Sequence, residues 1–96
     1  MKFKSLTQLY NYIWDTREHR SELSGDPLLS KSHPQWRWQM AHILPHGSYP
    51  SFKFRPDNIC LMTIKEHEHQ ESNEKFRKLY DEKKRQYYRE IYGKEF

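Results

Sequence analysis

Leu6, Leu9, Tyr10, Ile13 and Trp14 recur every three or four residues, the spacing that lays apolar side chains along one face of an amphipathic helix. Ser5, with Gln8 three residues on, supplies a capping-box pair for its start, and the helix is expected to end near "REHR" (17–20). The next stretch, "SELSGDPLLSKSHP", is punctuated by Gly25, Pro27 and Pro34 and reads as turn and loop. In "QWRWQMAHIL", Trp36, Trp38 and Met40 alternate with polar residues. That is the period of a half-buried strand, which can also open with a short helical turn.

"PHGSYPSFKFRPD" holds three of the five prolines and a glycine, so it is expected to be loop, with "FKF" as a brief strand-like piece. "NICLM" reads as the second strand of a hairpin with "QMAHIL". Thr63 followed by Glu66 is a capping box. The helical pattern after it runs to about Tyr92 with a break near Ser72 and Asn73. Phe76, Leu79, Tyr80, Tyr87, Tyr88 and Ile91 form its apolar stripe and "DEKKRQ" its solvated side. These elements predict a single α+β domain over 1–96: an N-terminal helix within 1–20, a hairpin-and-helix core over 36–71, and a helical extension over 72–96.

Composition changes this picture in three places. Only 34% of the residues are hydrophobic against 31% charged, so a chain this short has a thin core. The 16% aromatic content supplies burial that the aliphatic residues do not, which argues against disorder. The formal net charge of +4 suits a polyanionic partner such as nucleic acid without requiring one. The one cysteine, Cys60, excludes a disulfide framework or a cysteine-based zinc ribbon within the chain, and its apolar surroundings predict a buried, inert thiol. "MKFKSLTQLYNYIW" has no continuous apolar run of the kind a signal peptide or membrane span needs, so a soluble, cytoplasmic protein is expected.

The candidate chemistry lies in residues 41–67, "AHILPHGSYPSFKFRPDNICLMTIKEH". His42 ends the first expected strand, Asn58 begins the second, and His67 falls in the first turns of the helix. This stretch resembles the HNH endonucleases, the ββα-metal or His-Me finger group, and the whole chain is similar to small HNH proteins encoded by bacterial viruses. The "W-x-x-R" at Trp14–Arg17 and the "SELSG" turn belong to that similarity. The resemblance implies a small ββα-metal core flanked by an N-terminal helix and a long C-terminal helix. It implies cleavage of DNA phosphodiester bonds in a bacterial or phage-infected host cell. His42 would be the general base, Asn58 would orient it or its loop, and His67 would hold a single divalent metal (Mg²⁺, Mn²⁺, Ni²⁺ or Zn²⁺). A neutral imidazole can take a proton near neutral pH, and a divalent cation polarises the phosphate and stabilises the departing oxygen.

Two departures from the family pattern matter. Ala41 stands where many members carry a metal-ligating acid or histidine, so water and substrate phosphate would have to complete the metal's coordination. "SELSG" and "TIKEH" stand where two C-x-x-C pairs would hold a structural zinc, so no structural zinc is expected. Ala41 also keeps open a degenerate HNH-like protein that binds nucleic acid or protein without cutting. A small structural or inhibitory protein whose histidines bind metal only for stability is a further alternative.

The stretch "EHEHQE" looks like an H-x-H ligand pair. On a helix, residues two apart point about 200° from one another, so His67 and His69 cannot face one metal. Glu71, one turn beyond His67, is the expected second ligand. Lys53 and Arg55 are candidate phosphate contacts, with double-stranded DNA as the expected partner. His46 in "PHG" is expected to serve a turn, with a place facing the same groove as the alternative, and nothing fixes whether His19 or Glu22 reaches the site. The Tyr87, Tyr88 and Tyr92 side of the last helix is a candidate surface for a protein partner.

Overall fold

A computed structural model describes residues 3–93. Among them are three α-helices and one two-stranded antiparallel sheet: α1 (Leu6–Thr16), β1 (Met40–His42), β2 (Ile59–Leu61), α2 (Ile64–Glu68) and α3 (Glu74–Tyr92). No helix of the described residues is long and apolar enough to cross a membrane. The outermost residues of the expected N-terminal segment (1–20) and C-terminal extension (72–96), residues 1–2 and 94–96, lie outside the described residues.

α1 starts where the Ser5 hydroxyl accepts the Gln8 backbone N–H (3.2 Å). The reciprocal half of the expected capping box is displaced, because the Gln8 side chain accepts from Lys4 N–H instead of Ser5 (2.8 Å). Leu9, Tyr10, Ile13 and Trp14 are its buried face. They pack with Trp36, Met40, Ile59 and Leu61 on one side of the sheet. On the other side Ala41 and Cys60 join Leu23, Ile43, Met62 and Phe76, with Leu79 and Tyr80 of α3 against them. Both faces of β2 are therefore covered. That is why "NICLM" reads as a continuous apolar run with no alternation of apolar and polar residues. The expected hairpin is present, with Met40 opposite Leu61, Ala41 opposite Cys60 and His42 opposite Ile59. Burial pushes the Cys60 thiol up to about 12, in keeping with an inert core residue.

Two expected strand pieces are absent. Residues Trp36–Gln39 form a 3₁₀ turn, the helical opening allowed for and not the strand. The cause is Gln39. Its fully buried amide accepts from Leu29 N–H (2.6 Å) and donates to the Leu29 (3.1 Å) and Trp36 (3.2 Å) carbonyls. Gln39 thus buries beside Trp36 at the three-residue period of that turn, and Trp38 swings outward. "FKF" likewise contributes no strand, since Pro50–Phe52 is a 3₁₀ turn with Pro50 at its start and Phe52 sealed in the core.

The Thr63–Glu66 capping box is complete: Glu66 N–H donates to the Thr63 hydroxyl (3.2 Å) and Thr63 N–H to the Glu66 carboxylate (2.8 Å). α2 then ends at Glu68, and a 3₁₀ turn at Gln70–Ser72 leads to Asn73, whose side chain caps α3 through Phe76 N–H (3.0 Å). The break is present but begins earlier than expected, at His69, and runs to Asn73.

The outer edge of β2 is closed by side chains. Arg17, at the end of α1, donates to the carbonyls of Ile59 (2.6 Å) and Pro56 (2.7 Å) and pairs with Glu22 (2.9 Å). Glu22 N–H donates to Leu61 O (2.8 Å), and the Glu22 carboxylate accepts Leu61 N–H. The Ser21 hydroxyl donates to Glu66 (2.6 Å), joining the "SELSG" turn to the start of α2. A bare strand edge is an aggregation template, and here it has none of its polar groups between Ile59 O and Leu61 O left open.

Candidate functional site

The end of β1, the loop after it, the 3₁₀ turn before it and the α2 segment together form one groove, lined by His42, His46, His67, Trp38, Arg37 and Gln70 over the ring of Tyr10. His42 is placed by strand pairing and then fixed in orientation. Its Nε2 lies 2.9 Å from the Lys53 carbonyl, so Nε2 carries the hydrogen and Nδ1 keeps its lone pair. Burial lowers the His42 pKa. The Lys53 carbonyl opposes that shift, and the nearby His46, Lys53 and His67 add to it. The ring is therefore neutral at pH 7.

His67 is oriented in the same way with the nitrogens exchanged. Its Nδ1 lies 2.7 Å from the Trp38 carbonyl and carries the hydrogen, leaving Nε2 as the free electron pair. An N–H held by a backbone carbonyl is the usual outer support of a metal-bound imidazole. Beside them, the buried Gln70 Oε1 has no hydrogen-bond partner, an uncommon condition for a native polar atom. An imidazole nitrogen and an orphan carbonyl oxygen fit a borderline divalent cation whose other positions are water and phosphate. Among the described residues, no three His, Cys, Asp or Glu side chains come together as a ready-made metal cluster.

Asn58 is fully buried and its side chain hydrogen-bonds to none of these groups. Its Oδ1 accepts Leu44 N–H (2.9 Å), and its Nδ2 donates to the carbonyls of Leu44 (3.0 Å) and Phe52 (3.3 Å). It ties together the two ends of the loop from which the Lys53 carbonyl reaches His42, so it acts on the histidine through the backbone.

Glu71 requires a correction. Its expected place on the His67 face assumed one continuous helix, but α2 stops at Glu68. Glu71 lies in the 3₁₀ turn that follows and lines a neighbouring hollow with His42, Ile43 and Gln70, two of which, His42 and Gln70, also line the groove. His69 caps the end of α2 and is exposed outside the groove. His46 does more than serve a turn: its ring meets that of His42 edge-on at 4.8 Å.

The two candidate phosphate contacts separate. Arg55 is engaged by Glu90 (2.6 Å) and Asp57 (2.9 Å), with its guanidinium 4.4 Å over the Phe52 ring. This pins the loop to α3. Lys53 contributes its carbonyl to His42, and its ammonium lies 5.2 Å over Phe54. His19 stacks on Trp14 at 3.7 Å and Glu22 serves the β2 edge, so neither lines the groove.

Arg37, Trp38 and Gln70 are the groove residues that sequence patterns did not single out. A "WRW" triplet gave a signal for the first two, but the strand reading put both tryptophans on one face. Nothing in sequence marks Gln70, because its state depends on which neighbours fail to reach it. Comparisons with protein families, with curated proteins and with solved structures found nothing that matches this chain.

Proposed function

We propose that this chain is a metal-dependent endonuclease of the HNH type that hydrolyses DNA phosphodiester bonds. The observation carrying the proposal is the complementary locking of His42 and His67 in one groove. Each ring gives one N–H to a backbone carbonyl and keeps the other nitrogen as a base. In this mechanism a water attacks phosphorus, the new P–O bond forms as the bond to the leaving oxygen breaks, and the water's proton passes to His42 Nδ1. The lowered pKa keeps that nitrogen unprotonated at pH 7. Asn58 positions His42 through the loop. His67 Nε2 would hold the divalent cation, with Gln70 Oε1 as a spare oxygen donor on a residue lining the same groove. When bound, the cation supplies charge stabilisation at the phosphate and leaving oxygen.

Ala41 favours a second reading, in which the same groove binds nucleic acid without cutting, since it supplies no donor next to His42. Plasmid cleavage in Mg²⁺, Mn²⁺, Ni²⁺ or Zn²⁺ decides between them. Wild type is expected to nick plasmid, or to cut a single-stranded oligonucleotide assayed beside it, with at least one metal. His42→Ala should slow the reaction by about 10²–10⁴-fold, the usual contribution of a general base. Cutting that survives His42→Ala, or no cutting with any metal, overturns the proposal.

A further inference from the structure

Two of the three tryptophans, Trp14 and Trp36, are sealed in the core and meet edge-to-face at 5.6 Å. Trp38 is 63% exposed and lines the groove, and among the described residues its ring has no aromatic partner. Its backbone is nevertheless fixed. The 3₁₀ turn is anchored by buried Gln39, and the Trp38 carbonyl is the group that orients His67. An unpartnered indole carried on that turn, in the same groove as the histidines, suits a flat apolar ligand face.

Arg37 precedes it in the chain. Its guanidinium sits 5.1 Å over the Tyr10 ring, which in turn meets the His42 ring edge-on at 6.4 Å between centres, and all three line the groove. Arg37 is exposed and makes no ion pair among the described residues. Arg55, by contrast, is already neutralised by two carboxylates. A phosphate contact needs an arginine whose donors are free, and in this groove that arginine is Arg37.

We propose that Arg37 and Trp38 form a nucleotide subsite, in which Arg37 takes a backbone phosphate next to the one at the histidines and Trp38 stacks on an unpaired base. This rests on the nuclease reading of the groove and narrows its substrate to DNA that is single-stranded or unpaired at the cut. In an intact duplex the bases stack on one another inside the helix. A tryptophan face in the groove that holds the phosphate stacks only on a base released from pairing. The neighbouring Arg37, the histidines and the net charge of +4 match the polyanion.

The test is binding of a short fluorescein-labelled oligonucleotide, single-stranded or duplex, followed by anisotropy in EDTA so that nothing is cut. Trp38→Ala is expected to weaken single-strand binding by about ten-fold, while Trp38→Phe, which keeps a ring, stays within about three-fold of wild type. Duplex binding should not change in either variant. Arg37→Gln should weaken both ligands and flatten the single-strand salt dependence by about 0.7 in log K per log salt. The Trp38 variants retain the backbone carbonyl that His67 uses, and melting curves matching wild type verify their folding.

Single-strand binding that survives Trp38→Ala overturns the subsite, and so does an equal loss on single strand and duplex. Wild-type cleavage measured in parallel separates the two proposals. Cutting without the Trp38 pattern removes the subsite and leaves the nuclease. The Trp38 pattern without cutting removes the nuclease and leaves a single-strand-binding groove.

Discussion

The two sides of the hairpin use polar residues in opposite ways. At the outer edge of β2, Arg17, Glu22, Ser21 and Glu66 are consumed by one another and by backbone groups. In the groove, His42 and His67 each spend one nitrogen on the backbone and keep the other, Gln70 Oε1 has no partner, and Trp38 shows its ring to solvent. Satisfied polar groups hold a fold together, because removing one partner leaves the other stranded. Unsatisfied groups held by a satisfied frame are what a ligand or reacting atom can use. By that criterion the groove is the working side and the edge is the frame.

The largest expected effect falls on the working side. In the proposed mechanism His42 must be unprotonated to act, so kcat/KM for cleavage should rise with pH and level off, with its midpoint below the ordinary imidazole value of 6.5. The linkage to stability has the same sign. With its folded pKa lowered, His42 binds fewer protons in the folded chain than in the unfolded one. Stability is therefore lost as pH falls from about 6.5 through the lower folded value, and His42→Ala should remove that part of the slope. A midpoint above 6.5 contradicts this assignment.

Next in size is Asn58→Ala, which breaks the frame from inside. Three hydrogen bonds of a fully buried side chain are lost and two carbonyls and one N–H of the loop are stranded, so urea unfolding should show a loss of about 3 kcal/mol. Glu22→Ala removes a half-exposed carboxylate from Arg17 and from Leu61 N–H, and about 1–2 kcal/mol is expected. The informative measurement is cleavage per folded molecule. It should fall with Asn58→Ala, because the loop carrying the Lys53 carbonyl is released, and stay at the wild-type level with Glu22→Ala. An equal loss of activity in both would erase the distinction between frame and groove.

The sequence carried the hairpin, the α1 face, the Thr63 capping box and the helix break, because each depends on neighbours in the chain. Thr63 and Glu66 need only a helix turn to meet, and "NICLM" is apolar wherever it is buried. The misreadings came from contacts distant in sequence. "QWRWQ" has the right alternation for a strand, but Gln39 found Leu29 and pulled the segment into a turn. One helical period puts Glu71 on the His67 face, but α2 ends at Glu68, before the break that the sequence marks at Ser72 and Asn73. Arg55 had the charge and loop position of a phosphate contact, and only folding brings Glu90 of α3 against it.

Arg55 gives the smallest expected effect and the finest test of the comparison. Its partners Asp57 and Glu90 are all partly exposed, so Arg55→Gln should cost only about 0.5 kcal/mol, as surface ion pairs do. The pairing also has a pH signature. Burial would raise the Asp57 carboxyl, but bonds from Arg55, Lys83 and Gln86 bring it down to about 2. Its contribution is thus complete above the unfolded value of 3.8 and lost as pH falls from there toward 2. Arg55→Gln should flatten acid unfolding in that window while leaving single-strand DNA affinity within about two-fold, against the loss expected for Arg37→Gln. If Arg55→Gln instead weakens DNA binding as much as Arg37→Gln does, the loop arginine abandons its carboxylates for phosphate, and the frame would extend into the working side at that point.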